Sequence, residues 1–176
     1  MEIFKNKKIL ITGHTGFKGS WLSIWLTHLG AKVVGVSNNI VGSPSNFLVS
    51  EISKVVDDYR FDIRDEGAIK SLIERVQPDF VFHLAAQALV RPSYENPLET
   101  MSINAIGSAN VLDALRGLDK KVVAVMITSD KAYDNVEWVW GYRETDRLGG
   151  KDPYSSSKGM AELAIRCYIE SFFNSP

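Results

Sequence analysis

The run Lys8–Thr12 (KILIT) is almost wholly apolar and passes without a break into Gly13-His14-Thr15-Gly16-Phe17-Lys18-Gly19. A short, continuously hydrophobic β run of this kind suits a strand covered on both faces, which is the situation of a strand in a parallel sheet. The segment Ser20–Leu29 that follows predicts a helix closed by Gly30, with Trp21, Leu22, Trp25, Leu26 and Leu29 at the spacing of a core-facing stripe. Strand, glycine turn and helix in that order let backbone approach a diphosphate seated at a helix N-terminus. The glycines read GxxGxxG, not GxGxxG, so the motif takes its weight from the strand and helix around it; the other reading is a turn with a packing role only.

The same alternation runs along the whole chain. A second strand is expected at Lys32–Val36, followed by Ser37, Asn38 and Asn39 where an acidic residue normally holds the adenosine ribose diol. Asn38 can still hydrogen-bond a ribose hydroxyl, but the missing carboxylate leaves NAD against NADP undecided here. Residues 40–54 read as a loop with little regular structure. Val55–Phe61 reads as a third strand leading to Asp62, which can either accept from an adenine amino group or cap the helix expected at Glu66–Val76. A fourth strand, Asp79–Leu84, ends in Ala85-Ala86-Gln87, small residues where a cofactor can lie against backbone. His83 reads as a satisfied core histidine, since no partners stand at metal-ligand spacing.

Residues 91–97 read as a break before a long helix, Leu98–Leu118, whose Asn104 must find partners for its amide if buried. Lys121–Thr128 reads as a fifth buried strand ending in Ser129-Asp130-Lys131, a hydroxyl, a carboxylate and an amine at the edge of the sheet where ligands bind. A polar turn leaving the sheet is the plainer reading of that trio. Residues 132–151 form a loop carrying Trp138, Trp140, Tyr142 and Arg143, able to grip a sugar nucleotide or to pin the loop down. A helix over Tyr154–Phe173 completes a doubly wound, Rossmann-like α/β parallel sheet in three layers.

Composition narrows the function classes. A chain of 176 residues is of single-domain size, and 20 basic against 21 acidic side chains leave no global field to recruit nucleic acid or an acidic membrane surface. Residues 1–8 carry no long apolar segment, so neither a signal peptide nor a membrane span is expected. The single cysteine, Cys167, excludes an internal disulfide framework, fits a reducing cytoplasm, and lies in an apolar helical run where buried packing is expected.

The stretch Asp152-Pro153-Tyr154-Ser155-Ser156-Ser157-Lys158 carries the most chemistry. Asp152 suits the N-cap and Pro153 the first helical position, so Tyr154 and Lys158, four residues apart, share one helical face. A phenol is a poor base at neutral pH, with a reference pKa of about 10, and a nearby cation favours its phenolate. Lys158 can be that cation; a surface tyrosine beside a solvated lysine is the bland alternative.

Taken together, Gly13-x-x-Gly16-x-x-Gly19, Asp62, Asn104, the hydroxyl at 129 and Tyr154-x-x-x-Lys158 resemble the extended short-chain dehydrogenase/reductase superfamily. Within it, residues 13–22, 83–94, 128–133, 138–144 and 152–163 are most similar to the CDP-glucose 4,6-dehydratase family. The resemblance implies an NAD cofactor held by Gly13, Thr15, Gly16, Phe17, Lys18, Gly19, Asn38, Asp62, Ile63, Leu84, Ala85, Ala86, Gln87, Asn104, Thr128, Tyr154 and Lys158. It implies a substrate site that includes Gln87, Arg91, Ser93, Tyr142 and Arg143, with CDP-glucose as partner and no metal. It implies catalysis by Ser129, Asp130, Lys131, Tyr154 and Lys158: oxidation at C4, loss of water across C5 and C6, and reduction at C6. Ser129 stands where related dehydratases more often carry Thr, and Lys131 where the dTDP-glucose and GDP-mannose branches carry Glu, which points to the CDP-sugar branch. A homodimer, paired through the helices at 98–118 and 154–173, is also implied. Family members continue into a C-terminal sugar-nucleotide domain, so residues 1–176 are expected to be the amino-terminal NAD-binding domain without it. An epimerase or reductase of the same superfamily, which needs no Asp130-Lys131 pair, and a noncatalytic dinucleotide sensor, which needs no Tyr154, are the alternatives.

Overall fold

The structure is a computed structural model that describes residues 2–173. Five parallel strands form one sheet: β1 (Lys8–Thr12), β2 (Lys32–Val36), β3 (Asp57–Tyr59), β4 (Phe80–His83) and β5 (Val123–Met126), in the order β3-β2-β1-β4-β5. The chain winds outward from β1 to β3 and then returns to the other side of β1 at β4. That reversal puts a crevice at the carboxyl ends of β1 and β4, the place where open parallel sheets receive ligands.

The helices are α1 (Phe17–His28), α2 (Asn46–Val49), α3 (Glu66–Val76), α4 (Val90–Glu95), α5 (Pro97–Met101), α6 (Gly107–Arg116) and α7 (Pro153–Tyr168). Alternating strand residues divide the core in two. Leu10, Val34, Val36 and Val81 pack under Ile69, Leu72 and Ile73 of α3 and Val111, Ala114 and Leu115 of α6. Ile9, Ile11 and Val33 face the other way, against Leu26 of α1 and Phe47, Ile52 and Val56. Each aliphatic side chain so buried contributes roughly 1.5–3 kcal/mol relative to exposure. α7 lies outside the first layer, packed on α4, α5, α6 and the turn after β5.

Several elements differ from their sequence-based expectation. α1 starts at Phe17, inside the glycine segment, and Trp21 and Trp25 face outward at 54% and 48% exposure. The inward face is Gly19, Ser20, Ser23 and Leu26. Ser20 and Ser23 turn their hydroxyls back onto Phe17 O and Gly19 O, so a small, satisfied face lets α1 lie close to the sheet while the indoles, too large for that gap, point away. Residues 40–54 contain α2 and a 3-10 turn, Ile52–Lys54, whose Phe47 and Ile52 close the α1 side of the core. Residues 91–97 are helical as α4 and the start of α5, with Pro97 at a first helical position where its missing N–H is harmless. The long helix is interrupted by a π turn, Ser102–Ile106, between α5 and α6, and α7 likewise ends in a π turn, Ile169–Phe173.

The third, fourth and fifth strands are shorter than their apolar runs, and β5 is not buried: Val123 and Val125 are 55% and 37% exposed. They stand in register with Phe80 and Phe82, on the α1 side of the sheet, where no helix among the described residues covers this edge. Cys167 is exposed, on the outer face of α7. Among the described residues no helix is long and apolar enough to cross a membrane.

Candidate active site

The glycine turn is shaped by three glycines with separate duties. Gly13, at φ +75°, donates its N–H to Val36 O at 2.7 Å and lies so near the exit of β4 that a Cβ would come within 2.7 Å of Ala85 N. A Cβ on Gly19 would stand 2.1 Å from Gly13 O, so α1 can begin this close to β1 only with glycine there. Gly16 is different: its Cβ would meet only Gly13 O, at 3.3 Å, and no side chain caps the helix it begins. The first-turn N–H groups of α1 therefore have no side-chain cap, as an anionic ligand requires. Phe17 and Lys18, in the first turn of α1, are exposed beside it.

His14 and Thr15 anchor this turn from below. His14 is fully buried; its Nε2 pairs with Asp58 Oδ1 at 2.9 Å, and its ring fits where Gly35 has no side chain. Burial lowers the His14 pKa, against the opposing pull of Asp58. Thr15 Oγ1 donates to Asn39 O at 2.7 Å, so the Ser37 hydroxyl, 2.8 Å away, must be the donor to Thr15.

Asp62 holds Arg64, accepting from its Nε at 3.1 Å, its terminal nitrogen at 2.7 Å and its backbone N–H at 2.9 Å. The guanidinium keeps the Asp62 carboxyl below the usual range, with Asn38 contributing. The cap of α3 is Asp65, which accepts from Ala68 N at 3.0 Å, so Asp62 does not fill that role. Ile63 is buried against Gly107 of α6.

Behind the crevice runs a buried hydrogen-bond chain. Ser108 Oγ donates to Asn104 O at 2.7 Å, so it must accept from His83 Nε2 at 3.0 Å; His83 Nδ1 then accepts from Thr12 Oγ1 at 2.7 Å, which in turn accepts from Ala85 N at 3.1 Å. Every partner is satisfied by the neutral Nε2–H tautomer, and burial, assisted by the Lys158 ammonium, pushes the His83 pKa down to about 3. His83 is thus the satisfied core histidine its sequence setting predicts. Asn104, in the π turn, accepts from Gln87 N at 2.9 Å and donates to Gln87 O and Ser157 Oγ at 3.0 and 2.8 Å. It ties the loop after β4, with its half-buried Leu84, Ala85 and Ala86, to the first turn of α7.

Asp152 caps α7 as expected, accepting from Ser155 N at 3.0 Å and Ser155 Oγ at 2.5 Å. Burial raises its pKa, but the Ser155 and Tyr154 donors and the Lys131 ammonium outweigh that and leave it lowered. Tyr154 and Lys158 are 8% and 5% exposed on the inner face of α7. Burial lowers the Lys158 pKa and Glu162 opposes the shift. Ser129 starts a 3-10 turn, Asp130–Ala132, by accepting from Lys131 N at 3.2 Å, and its hydroxyl donates to Asp130 Oδ1 at 3.1 Å. This turn rests on α7: a Cβ on Gly159 would lie 3.4 Å from Ala132 O. The trio and the Tyr154–Lys158 pair therefore occupy one neighbourhood, and Asp130, Lys131, Asp152 and Ser155 line a common cleft of about 280 Å³.

The residues read as substrate contacts are more scattered. Tyr142 stacks on Tyr133 at 5.2 Å, and its hydroxyl donates to Asn135 Oδ1 and accepts from Val136 N. Arg143 lines a second cleft of about 380 Å³ with Trp138 and Trp140. Arg91 is exposed beside Glu95, Ser93 is buried with its hydroxyl on Val90 O, and the Gln87 amide is held by Thr100 Oγ1 and Leu89. Sequence reasoning passed over Ser108, Ser157 and Glu162. Glu162 follows Lys158 at the spacing by which Lys158 follows Tyr154, and its Oε1 accepts from the Thr128 hydroxyl. Among the described residues no group of three or more His, Cys, Asp or Glu is placed to hold a metal ion.

A doubly wound sheet with a glycine turn at its switch point and a buried tyrosine–lysine pair on the flanking helix defines a nucleotide-binding protein of the short-chain dehydrogenase/reductase type. Residues 10–173 match the family described as GDP-mannose 4,6 dehydratase, and the chain belongs to that family. It is 47% identical over 173 residues to CDP-glucose 4,6-dehydratase of Salmonella typhimurium, covering 98% of this chain and 48% of that protein. It is 30% identical over 178 residues to GDP-mannose 4,6-dehydratase of Yersinia enterocolitica, covering 94% and 46%. The fold is also similar to that of UDP-glucose 4-epimerase of Thermus thermophilus, solved with NAD, with 30% identity and a TM-score of 0.78 over 94% of this chain and 52% of that one. The chain thus spans about half the length of the relatives it matches.

Proposed function

We propose that residues 1–176 form the NAD-binding and catalytic portion of an enzyme that converts CDP-glucose to CDP-4-keto-6-deoxyglucose. The observation that carries this reading is the packing of the Ser129-Asp130-Lys131 turn onto α7 at Gly159, one residue past Lys158, which unites an acid–base pair with a redox-type tyrosine. The 47% identity to CDP-glucose 4,6-dehydratase of Salmonella typhimurium supports the same substrate.

The glycine turn fits a dinucleotide: the absence of side chains at Gly13, Gly16 and Gly19 and the uncapped start of α1 suit its diphosphate. Asp62 and Asn38 would flank the adenosine end and Lys158 would hold the nicotinamide ribose. When bound, NAD supplies a hydride acceptor at C4 and a donor at C6. Tyr154 removes the C4 hydroxyl proton as that carbon is oxidised, with the Lys158 ammonium beside it and the Ser129 hydroxyl on the same oxygen. The resulting ketone acidifies C5–H. Lys131 in its neutral amine form takes that proton, the C6–O bond breaks, and Asp130 in its carboxylic acid form protonates the departing oxygen to give water. Protonation at C5 completes the reduction of C6.

We further propose that the enzyme acts in the cytoplasm, that its product serves deoxysugar and lipopolysaccharide biosynthesis, and that two copies pair through α5–α7. The exposed Leu98, Ile106, Met160 and Leu163 on those helices support the pairing. The deciding experiment supplies CDP-glucose deuterated at C4 in ordinary water, and unlabelled substrate in deuterium oxide. Deuterium carried from C4 to C6, and one solvent deuterium at C5, are expected. A C6 hydrogen drawn from solvent rules the mechanism out.

A further inference from the structure

Lys158 presents a physical difficulty. It is 5% exposed, and removing an ammonium from water favours its neutral form. Yet the reading above, on which this inference rests, needs a cation beside Tyr154. Of the charged groups on the elements packed against α7, Arg91 and Glu95 of α4 pair with each other, Glu99 of α5 with Arg64, and Asp113 of α6 with Arg116. β4 offers His83, which is neutral. The turn after β5 carries Asp130 and Lys131, both exposed. Its own helix carries Tyr154 on one side and Glu162 on the other, each one turn away and on the same face. Glu162 is the acidic group whose field reaches Lys158.

Glu162 also has a second partner. The Thr128 hydroxyl donates to its Oε1, and Thr128 immediately precedes the Ser129-Asp130-Lys131 turn. One carboxylate therefore bonds the residue next to the trio and stands one helical turn from Lys158. We propose that Glu162 is a positioning residue of this active site: it fastens the end of β5 to α7 through Thr128 and supplies the counter-charge for the buried Lys158 ammonium. Tyr154, Lys158 and Glu162 then act as a ladder at successive helical turns, from the reacting hydroxyl through the cation to the anchor on the sheet.

The two duties separate by mutation. Glu162→Gln keeps an acceptor for Thr128 and removes the charge; Thr128→Val keeps the charge and removes the tie. Lys158 is followed by NMR in protein carrying ¹³C-lysine, its signal assigned by its loss in Lys158→Met. In Glu162→Gln the Lys158 titration is expected to move down by about one pH unit. In the intact polypeptide turning over CDP-glucose, the alkaline limb of kcat is expected to move with it. Thr128→Val is expected to lower kcat roughly 10- to 100-fold through misplacement, with KM little changed, and Thr128→Ser to restore it. A Lys158 titration in Glu162→Gln that coincides with that of the unaltered protein overturns the inference, as does full kcat in Thr128→Val. If the unaltered polypeptide leaves CDP-glucose untouched, the proposed function falls instead, while the lysine titration, which needs no substrate, still decides the role of Glu162.

Discussion

His83 turns a buried network into a measurable pH dependence. Its folded pKa of about 3 lies below the ordinary 6.5, so between those values the unfolded chain binds a proton that the folded chain refuses. The contribution is fully present above pH 6.5 and falls by about 1.4 kcal/mol for each pH unit below it, down to pH about 3. Urea unfolding at pH 7 and pH 5 should show this loss, and His83→Gln, though less stable at pH 7, should show a flatter slope between the two. The glycines give a second contrast. Gly19→Ala pushes a methyl onto the Gly13 carbonyl and is expected to cost about 1–3 kcal/mol or prevent folding. A Cβ on Gly16 would meet Gly13 O at 3.3 Å, a milder contact than at Gly19, so Gly16→Ala should lower the thermal midpoint of the free chain less than Gly19→Ala while NAD affinity, measured calorimetrically, drops.

Elements were legible in the sequence wherever one local rule decided them. β1, β2 and α3 fall at the expected residues, because an unbroken apolar run or a capped amphipathic stripe suffices. In α1 the expected helix forms and Leu22 and Leu26 face the core, but Trp21 and Trp25 do not, because Gly19, Ser20 and Ser23 let the helix lie close to the sheet, a tertiary constraint that no periodicity reports. The apolar run of β5 predicts burial, but burial belongs to neighbours and this strand has one only on the β4 side. The π turn is equally silent in sequence, although Asn104 within it is legible as an amide needing partners. Its widened turn aims Asn104 at both Gln87 and Ser157, so the Tyr154 helix and the loop after β4 are held by one side chain. Asn104→Ala strands the Gln87 backbone groups and is expected to lower stability by about 1–3 kcal/mol in urea denaturation. Of the candidate site, the glycines, the trio and the Tyr154–Lys158 pair were visible as motifs. Glu162 was not, since its meaning depends on Thr128, 34 residues away.

At the scale of the molecule, the exposed edge of β5 governs solution behaviour. Val123 and Val125 are exposed on an edge strand paired only with β4, an arrangement that favours association between copies. Sedimentation of this chain alone is expected to reveal concentration-dependent self-association, weakened in Val125→Lys, whose charge has room on the open face. The loop after β5 has a different effect. Tyr133 bridges to Leu148, and between them Trp138, Val139 and Trp140 protrude, the last two at 91% and 75% exposure, well away from both core clusters. Chymotrypsin offered in trace amounts should therefore cut first after Trp140. Because α7 remains clasped by α4, α5 and α6, the two fragments are expected to travel together through gel filtration and to part only in denaturant. With that outcome the covalent link between the sheet and its catalytic helix is not what holds them together, so the loop is a place where the backbone can be opened to admit a label.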